Sequence, residues 1–173
     1  MSGPSRKPVT CPSHMIITRF EHALAAYVAL TAYIPMLMDT GGNSGSQACV
    51  SIIRGISLNE IEFRDLGRVV WKEIRVSVLC GVCLAIACFA KIIVVDMLLL
   101  KSESVTYLVA FVVCATMAVT VCLAKIVGST LPLLAKKLGF DPAVMASPII
   151  TTIVDFLSLL VYFAFATAML GIG

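Results

Sequence analysis

The stretch AVMASPIITTIVDFLSLLVYFAFATAMLGIG, residues 143–173, decides the fold class because Asp155 is its only charged residue. About 20 apolar residues are enough for a helix to span a bilayer. A carboxylate near the hydrocarbon centre is costly, so it is expected to face a water-filled cavity or a partner and to mark an ion or proton pathway. The stretch therefore predicts a transmembrane helix whose Asp155 serves ion conduction.

The composition of the whole chain agrees with a membrane protein. Hydrophobic residues make up 60% of the 173 residues, charged residues 13%, and the mean hydropathy is +1.01. A soluble domain has about 45–50% apolar and about 25% charged residues. The net charge of +3 is too small to indicate a nucleic-acid partner. An enzyme is not expected either, because the two histidines form no HExxH motif and no Ser/His/Asp set.

The apolar runs predict an all-α integral membrane protein with about four transmembrane helices. They cover residues 23–56, 76–100, 106–135 and 146–170, and a proline and several glycines interrupt the first run at 35–45. Because proline and glycine disfavour helix interiors, this interruption predicts a broken, glycine-rich pore helix.

Three other regions complete the predicted organisation. Residues 1–14 contain prolines and serines but no apolar run, so we interpret them as a flexible N-terminal segment or a remnant. Residues 15–173 contain every apolar run and are predicted to form one transmembrane ion-conducting domain. Within it, residues 57–75 are the most charged segment and are expected to form an interfacial loop.

The distribution of lysine and arginine predicts the orientation in the membrane. Basic residues concentrate in 54–75 and at 136–137, whereas the loop between the second and third spans offers only Lys101. The positive-inside rule places both basic loops in the cytoplasm of a multi-pass plasma-membrane protein. The N-terminus then lies outside, which an additional helix preceding residue 15 would explain.

Three charged residues fall within or near the predicted spans. Lys91, Asp96 and Lys125 interrupt runs that are otherwise apolar. Long charged side chains near helix ends commonly extend along apolar surface until the charge reaches water. We therefore expect these three residues to lie at the membrane interfaces.

The segment PMLMDTGGNSGSQ, residues 35–47, is the most specific pattern in the chain. Irregular backbone at membrane depth is tolerated only where protein buries it or where it lines a water-filled path. Free carbonyls and carboxylates are the ligands that hard cations prefer. The segment thus predicts a pore or substrate site. The alternative is a close-packing helix interface built from small residues. A phosphate-binding loop is disfavoured because the lysine and the strand are missing.

Asp155 also has a structural alternative, in which it is a proton-titrating or structural carboxylate hydrogen-bonded within its own helix. Thr151 and Thr152 precede it by about one helical turn, and either hydroxyl could donate a hydrogen bond to the carboxylate. We favour a functional role because the residue is isolated and central in its span.

Two segments together resemble a known family. PMLMDTGGNSGSQACVSIIRGIS, residues 35–57, and DPAVMASPIITTIVDFLSLLVYF, residues 141–163, are similar to the transmembrane domain of MgtE-type magnesium channels. The resemblance covers about residues 20–173. It implies five helices per subunit and a homodimer. The pore would run along the dimer axis, lined by the second and fifth helices.

The resemblance also implies roles for individual residues. Asp155 matches an acidic pore residue that holds hydrated Mg²⁺ through water, and Thr151 matches a position that offers its backbone carbonyl. Asp39 and Gly42 match positions that contribute carbonyls, and Asn43 belongs to the same motif. Asp39 adds a carboxylate where some relatives have glycine. The family's first helix and its cytoplasmic CBS domains have no counterpart in this sequence, which we interpret as a fragment or a minimal member.

The resulting hypothesis is a channel or transporter that passes hydrated Mg²⁺, and also Mn²⁺ or Co²⁺, through a homodimer interface in the bilayer. A Na⁺- or H⁺-coupled divalent cation exchanger is the first alternative, because broken helices with a midplane acidic residue also describe coupled carriers. The second alternative is a non-conducting assembly subunit in which the glycines only pack helices.

Overall fold

The structure is a computed structural model that describes residues 28–100, 105–145 and 148–170, and this part of the chain is helical with short connections. The four main helices are α1, Val28–Ser57, α2, Leu66–Lys91, α3, Tyr107–Lys137, and α4, Pro148–Leu170. A 3₁₀ turn at Phe63–Asp65 precedes α2, a π-helix at Ile92–Leu99 continues it, and a second 3₁₀ turn at Pro142–Met145 precedes α4. The all-α prediction is confirmed.

Three helical segments in the described ranges are long and apolar enough to cross a membrane. They are 63–99, Tyr107–Lys137 and Pro148–Leu170, which correspond to the second, third and fourth predicted spans. Helix α1 corresponds to the first predicted span but falls outside this set. Its central segment contains Asp39, Asn43 and Gln47, which lower its hydropathy. The proposed N-terminal segment, residues 1–14, and the start of the first span lie outside the described residues.

The predicted break in the first span is wrong, because α1 is continuous through residues 35–45 with Pro35 inside it. Proline removes one backbone hydrogen bond from a helix interior and costs about 3 kcal/mol in water. In a membrane bundle, neighbouring helices make proline and glycine tolerable by packing around the weakened turn. Here α3 and α4 pack directly against the glycines of α1. Tertiary contact therefore overrides the local preference for a break.

The predicted interfacial loop, residues 57–75, is shorter than expected, because α2 already begins at Leu66. Arg68, Lys72 and Arg75 are exposed and three or four residues apart, so they share one solvated face of the helix. A high density of charge is therefore compatible with helix here. The connection itself turns at Asn59, whose φ of 56° is in the left-handed region.

Helix α3 is the centre of the bundle and packs against α1, α2 and α4. Its buried side chains are largely small or β-branched, which permits close packing of neighbouring helices. The largest core cluster includes Leu30, Val109 and Tyr162. The Tyr162 hydroxyl donates to the Leu30 carbonyl at 2.9 Å, which ties α4 to the start of α1.

Helices α1 and α3 meet backbone to backbone at Gly45 and Gly128. A methyl group at Gly128 would overlap the Gly45 carbonyl oxygen and lie 2.9 Å from the Gly45 carbonyl carbon. A methyl group at Gly45 would lie 3.1 Å from the Ala124 carbonyl oxygen. Glycines at such contacts let helices approach within membranes, so the small-residue alternative applies to this face of α1.

The interfacial prediction for Lys125 is wrong. Lys125 is buried in the bundle, and its Nζ lies 3.7 Å from Glu73 Oε2 on α2. Both side chains are about one-tenth exposed. A buried charge needs a partner, so Glu73 is what allows Lys125 to remain inside the bundle. Lys91 is exposed as expected, whereas Asp96 is mostly buried and paired with Lys91.

Candidate ion-binding cleft

An open cleft of about 160 Å³ lies between α1 and α4. Six residues line it, and they include all five that the sequence analysis selected. They are Met38, Asp39, Gly42, Asn43, Thr151 and Asp155. Segments more than a hundred positions apart in the chain therefore meet at one place.

Helical spacing explains how each wall of the cleft forms. On α1, Asp39 and Asn43 are four residues apart, so they lie one above the other on the same face. On α4, Thr151 and Asp155 have the same spacing. Each helix thus presents two polar groups in a column, and the two columns face the same space.

Gly42 sets the width of the cleft. A methyl group at this position would lie 3.3 Å from Thr151 Cγ2 and 3.8 Å from Asp155 Oδ1. The missing side chain therefore lets the α1 backbone approach the acidic column of α4 closely. A larger residue would fill the space that the two columns share.

The cleft offers oxygen ligands and negative charge. Asp39 is exposed and Asp155 is partly buried, and no lysine or arginine is among the six lining residues. Carboxylate and amide oxygens suit hard cations such as Mg²⁺ and Ca²⁺. Within the described ranges, no group of three or more His, Cys, Asp or Glu side chains is placed to hold a metal ion. Mg²⁺ is commonly held through one or two carboxylates with several waters retained, and the two aspartates of the cleft offer that number.

The threonine hydroxyls one turn before Asp155 contact the start of α4. Thr151 Oγ1 donates to the Pro148 carbonyl at 3.1 Å, and Thr152 Oγ1 donates to the same oxygen at 2.8 Å. A hydroxyl has one hydrogen to donate. The Thr152 hydroxyl, one of the two donors that the structural alternative assigned to the Asp155 carboxylate, is thus used by the first turn of α4.

Met38 lines the cleft and was missed by sequence reasoning. It is four residues before Gly42, so it lies on the cleft side of α1 directly above that glycine. The same spacing that connects Asp39 with Asn43 could have identified it. A methionine within an apolar run does not indicate a site, since most such methionines only pack against neighbours.

Comparison with known proteins identifies the family. The family model described as a divalent cation transporter, MgtE, matches residues 34–165, which contain the whole cleft. The chain belongs to the MgtE family. The family assigned from the two sequence motifs is confirmed, together with the all-helical membrane architecture.

Three MgtE proteins illustrate the extent of the similarity. The magnesium transporter MgtE of Bacillus subtilis is 36% identical over 158 residues, which are 91% of this chain and 33% of that protein. The Thermus thermophilus magnesium transporter MgtE is 35% identical over 90% of this chain and 32% of its own length. The Enterococcus faecalis protein of the same name is 29% identical over 88% and 32%, respectively. The chain thus spans about a third of the length of these MgtE relatives.

Proposed function

We propose that this chain forms the ion-conducting part of a homodimeric magnesium channel in the plasma membrane. Hydrated Mg²⁺ passes along the α1–α4 cleft, and Asp155 attracts it through water. Asp39 and Asn43 face the same path from α1, and Gly42 leaves room for the ion. The Thr151 carbonyl would contribute to the ring around it, and Mn²⁺ and Co²⁺ are expected to use the same path.

The observation that supports this proposal most directly is the convergence of oxygen-bearing groups in one open cleft. Its volume of about 160 Å³ leaves room for several waters, because one water occupies about 30 Å³ in the liquid. Mg²⁺ dehydrates reluctantly and is commonly bound through one or two carboxylates with several waters retained. The cleft matches that pattern in both size and ligand type.

Electrostatics would favour divalent ions in such a path. By Coulomb's law, a doubly charged ion gains twice as much as a singly charged one from the same carboxylate field. Two symmetry-related copies of Asp155 and Asp39 across a dimer axis would strengthen that field. An ion that retains its water is favoured over Ca²⁺, which prefers six to eight direct oxygen ligands.

The exposed surfaces of the chain support a dimer. Asp39 and Asn43 are exposed, so α1 and α4 of one protomer leave the cleft open on a further side. Only 39% of the most apolar window of α4 is buried within the chain. A second copy facing this side would enclose the ion path and remove two charged columns from direct contact with lipid.

The proposed orientation has one supporting contact. Lys137, at the end of α3, places its Nζ 4.1 Å from the centroid of the Phe63 ring. Phe63 belongs to the basic segment 54–75, and Lys137 belongs to the basic pair 136–137. Both segments therefore lie at the same end of the bundle, which suits a single cytoplasmic face.

The test is Mg²⁺ uptake into liposomes that contain the purified protein, wild type beside Asp155→Asn. Asn keeps the shape of the side chain but removes its charge, so uptake should fall at least about tenfold because the field that attracts the ion is lost. Asp141→Asn is the matched control, since Asp141 lies in an exposed loop and its carboxylate accepts from the nearby Ala143 amide at 2.9 Å. It should leave uptake unchanged.

The same liposomes separate the competing functions. Equal uptake by wild type and Asp155→Asn would refute the proposed path. Uptake that requires an imposed Na⁺ or H⁺ gradient would instead establish the coupled exchanger. If neither protein transports, and Asp155→Asn only shifts the monomer–dimer balance, the chain is an assembly subunit. Melting temperature and elution volume in detergent show whether the variant remains folded.

A further inference from the structure

A second polar site connects the first half of α1 with the π-helix that continues α2. The Tyr33 hydroxyl donates to Asp96 Oδ2 at 3.0 Å, and Lys91 Nζ lies 2.8 Å from the same oxygen. The Lys91 Nζ also lies 5.3 Å from the centroid of the Tyr33 ring. Tyr33 is 3% exposed and the Asp96 side chain 14% exposed, so the hydrogen bond is largely shielded from solvent.

The π-helix at Ile92–Leu99 makes this arrangement possible. Residues three and four apart are neighbours on an α-helix, whereas residues five apart are not. In a π-helix the backbone bond runs from residue i to residue i+5, as in the 2.9 Å bond from the Leu100 amide to the Val95 carbonyl. The wider winding brings Asp96 over Lys91, five positions earlier. Such π-segments are frequent at functional sites.

Tyr33 also belongs to the stripe of α1 that packs against the bundle. Tyr33, Leu37 and Gly41 are four residues apart and all buried. Met38 and Asp39 lie beside this stripe, on the side of α1 that faces the cleft. A rotation of α1 about its axis would move both residues relative to Asp155.

The turn that contains Tyr33 is weakened by the next residues of the chain. Pro35 has no amide hydrogen, so the turn between residues 31 and 35 lacks one backbone hydrogen bond. The hydrogen bond from Tyr33 to Asp96 connects this turn of α1 to the π-helix that continues α2. A charged acceptor makes that bond stronger than one between neutral groups.

We propose that Tyr33 and Asp96 are positioning residues that fix the rotation of α1, and thereby hold Asp39 and Met38 opposite Asp155. Lys91 holds the Asp96 carboxylate in place for Tyr33. This inference rests on the proposed function, because it concerns the geometry of the same ion path. Groups that hydrogen-bond directly to metal ligands change the affinity of the site by about 10- to 100-fold, so for Tyr33, which acts through the α1 backbone, we expect the lower end of that range.

The first test compares the half-saturating Mg²⁺ concentration for uptake in wild type and Tyr33→Phe. Loss of the hydroxyl alone should raise this concentration about tenfold. Tyr107→Phe is the matched control, because Tyr107 is 68% exposed. The double variant Tyr33→Phe/Asp96→Ala should be no worse than Asp96→Ala alone, since both changes remove the same bond. An unchanged half-saturating concentration in Tyr33→Phe would overturn the positioning role.

A second measurement does not depend on transport. Hydrogen exchange of the backbone amides in residues 32–39 should become about tenfold faster in Tyr33→Phe, while exchange in α4 remains unchanged. Unchanged exchange in residues 32–39 would show that the bond does not hold this turn, even if the wild type proves inactive. Absence of uptake by the wild type, with the expected local exchange, would refute the proposed function and leave the anchoring intact.

Discussion

The two sides of helix α1 use the same glycine-rich segment for different purposes. One side places Gly41 and Gly45 against α3 and α4, where added atoms would meet neighbours at about van der Waals contact or closer. The other side places Asp39, Gly42 and Asn43 in the open cleft. The packing side determines the position of α1 against α3 and α4. The cleft side presents polar groups to the cleft between α1 and α4. A residue of the motif can therefore matter for stability or for ion passage, depending on its side.

The adjacent residues Gly41 and Gly42 show this difference most clearly. A methyl group at Gly41 would lie 2.8 Å from Thr120 Cγ2 and 2.9 Å from Ser158 Oγ. At Gly42 the nearest atom would be Thr151 Cγ2, at 3.3 Å. The first position is closed, and the second borders a cleft. Alanine substitutions along the glycines therefore test the comparison directly.

The largest effect is expected for Gly128→Ala. The new methyl group would overlap the backbone of Gly45, which cannot move aside as a side chain can. We expect a loss of at least about 3 kcal/mol in folding stability, measured as a lower melting temperature and a smaller monodisperse fraction in detergent. Gly67→Ala is the control, because nothing lies within 4 Å of an added methyl group there. Equal melting temperatures for Gly128→Ala and wild type would contradict the backbone contact.

A smaller effect is expected for Gly41→Ala. Its nearest neighbours are side-chain atoms of Thr120, Ser158 and Val154, which can shift by a few tenths of an ångström. The expected loss is about 1–3 kcal/mol, again measured by thermal melting. Adding Thr120→Ser removes the nearest methyl group and should recover part of the loss. Failure of this second change to restore any stability would show that α3 does not confine Gly41.

The smallest effect on stability is expected for Gly42→Ala. The added methyl group would meet Thr151 Cγ2 at 3.3 Å, a side-chain atom at the edge of the cleft that needs to shift only slightly, so the change in folding stability should remain below about 1 kcal/mol. Uptake should nevertheless fall, because the methyl group narrows the path beside Asp155. The measurement pairs melting temperature with Mg²⁺ uptake for Gly41→Ala and Gly42→Ala. If Gly42→Ala lowers stability as much as Gly41→Ala does, the two sides of α1 are not distinct.

Much of the fold follows from the sequence because membrane helices are long and apolar. The apolar runs of the sequence predict α3 and α4, and the isolated charge of Asp155 indicates a polar site on α4. The resemblance of two separate motifs then selected Asp39, Gly42, Asn43 and Thr151. Their convergence required α1 and α4 to be neighbours, which no local pattern specifies.

Other features depend on contacts between distant residues. The prediction of a broken α1 was wrong because proline and glycine preferences describe an isolated chain, whereas α3 and α4 enclose this helix. Lys125 was expected at an interface because the sequence alone does not show that Glu73, on another helix, lies beside it. The pairing of Lys91 with Asp96 depends on π-winding, which the largely apolar sequence of 92–99 does not reveal.

The central place of α3 also has a consequence for biosynthesis. Helices enter the bilayer in chain order, yet α1 and α2 both pack against α3, which is synthesised after them. Among the four main helices that the structure describes, α1 is the one outside the segments that are long and apolar enough to cross a membrane. Because its glycines contact α3 and α4, we expect its retention in the lipid phase to depend on these two later helices. In ribosome-bound chains that end before residue 107, α1 should be weakly retained in the membrane. In chains that include α4, it should be firmly retained.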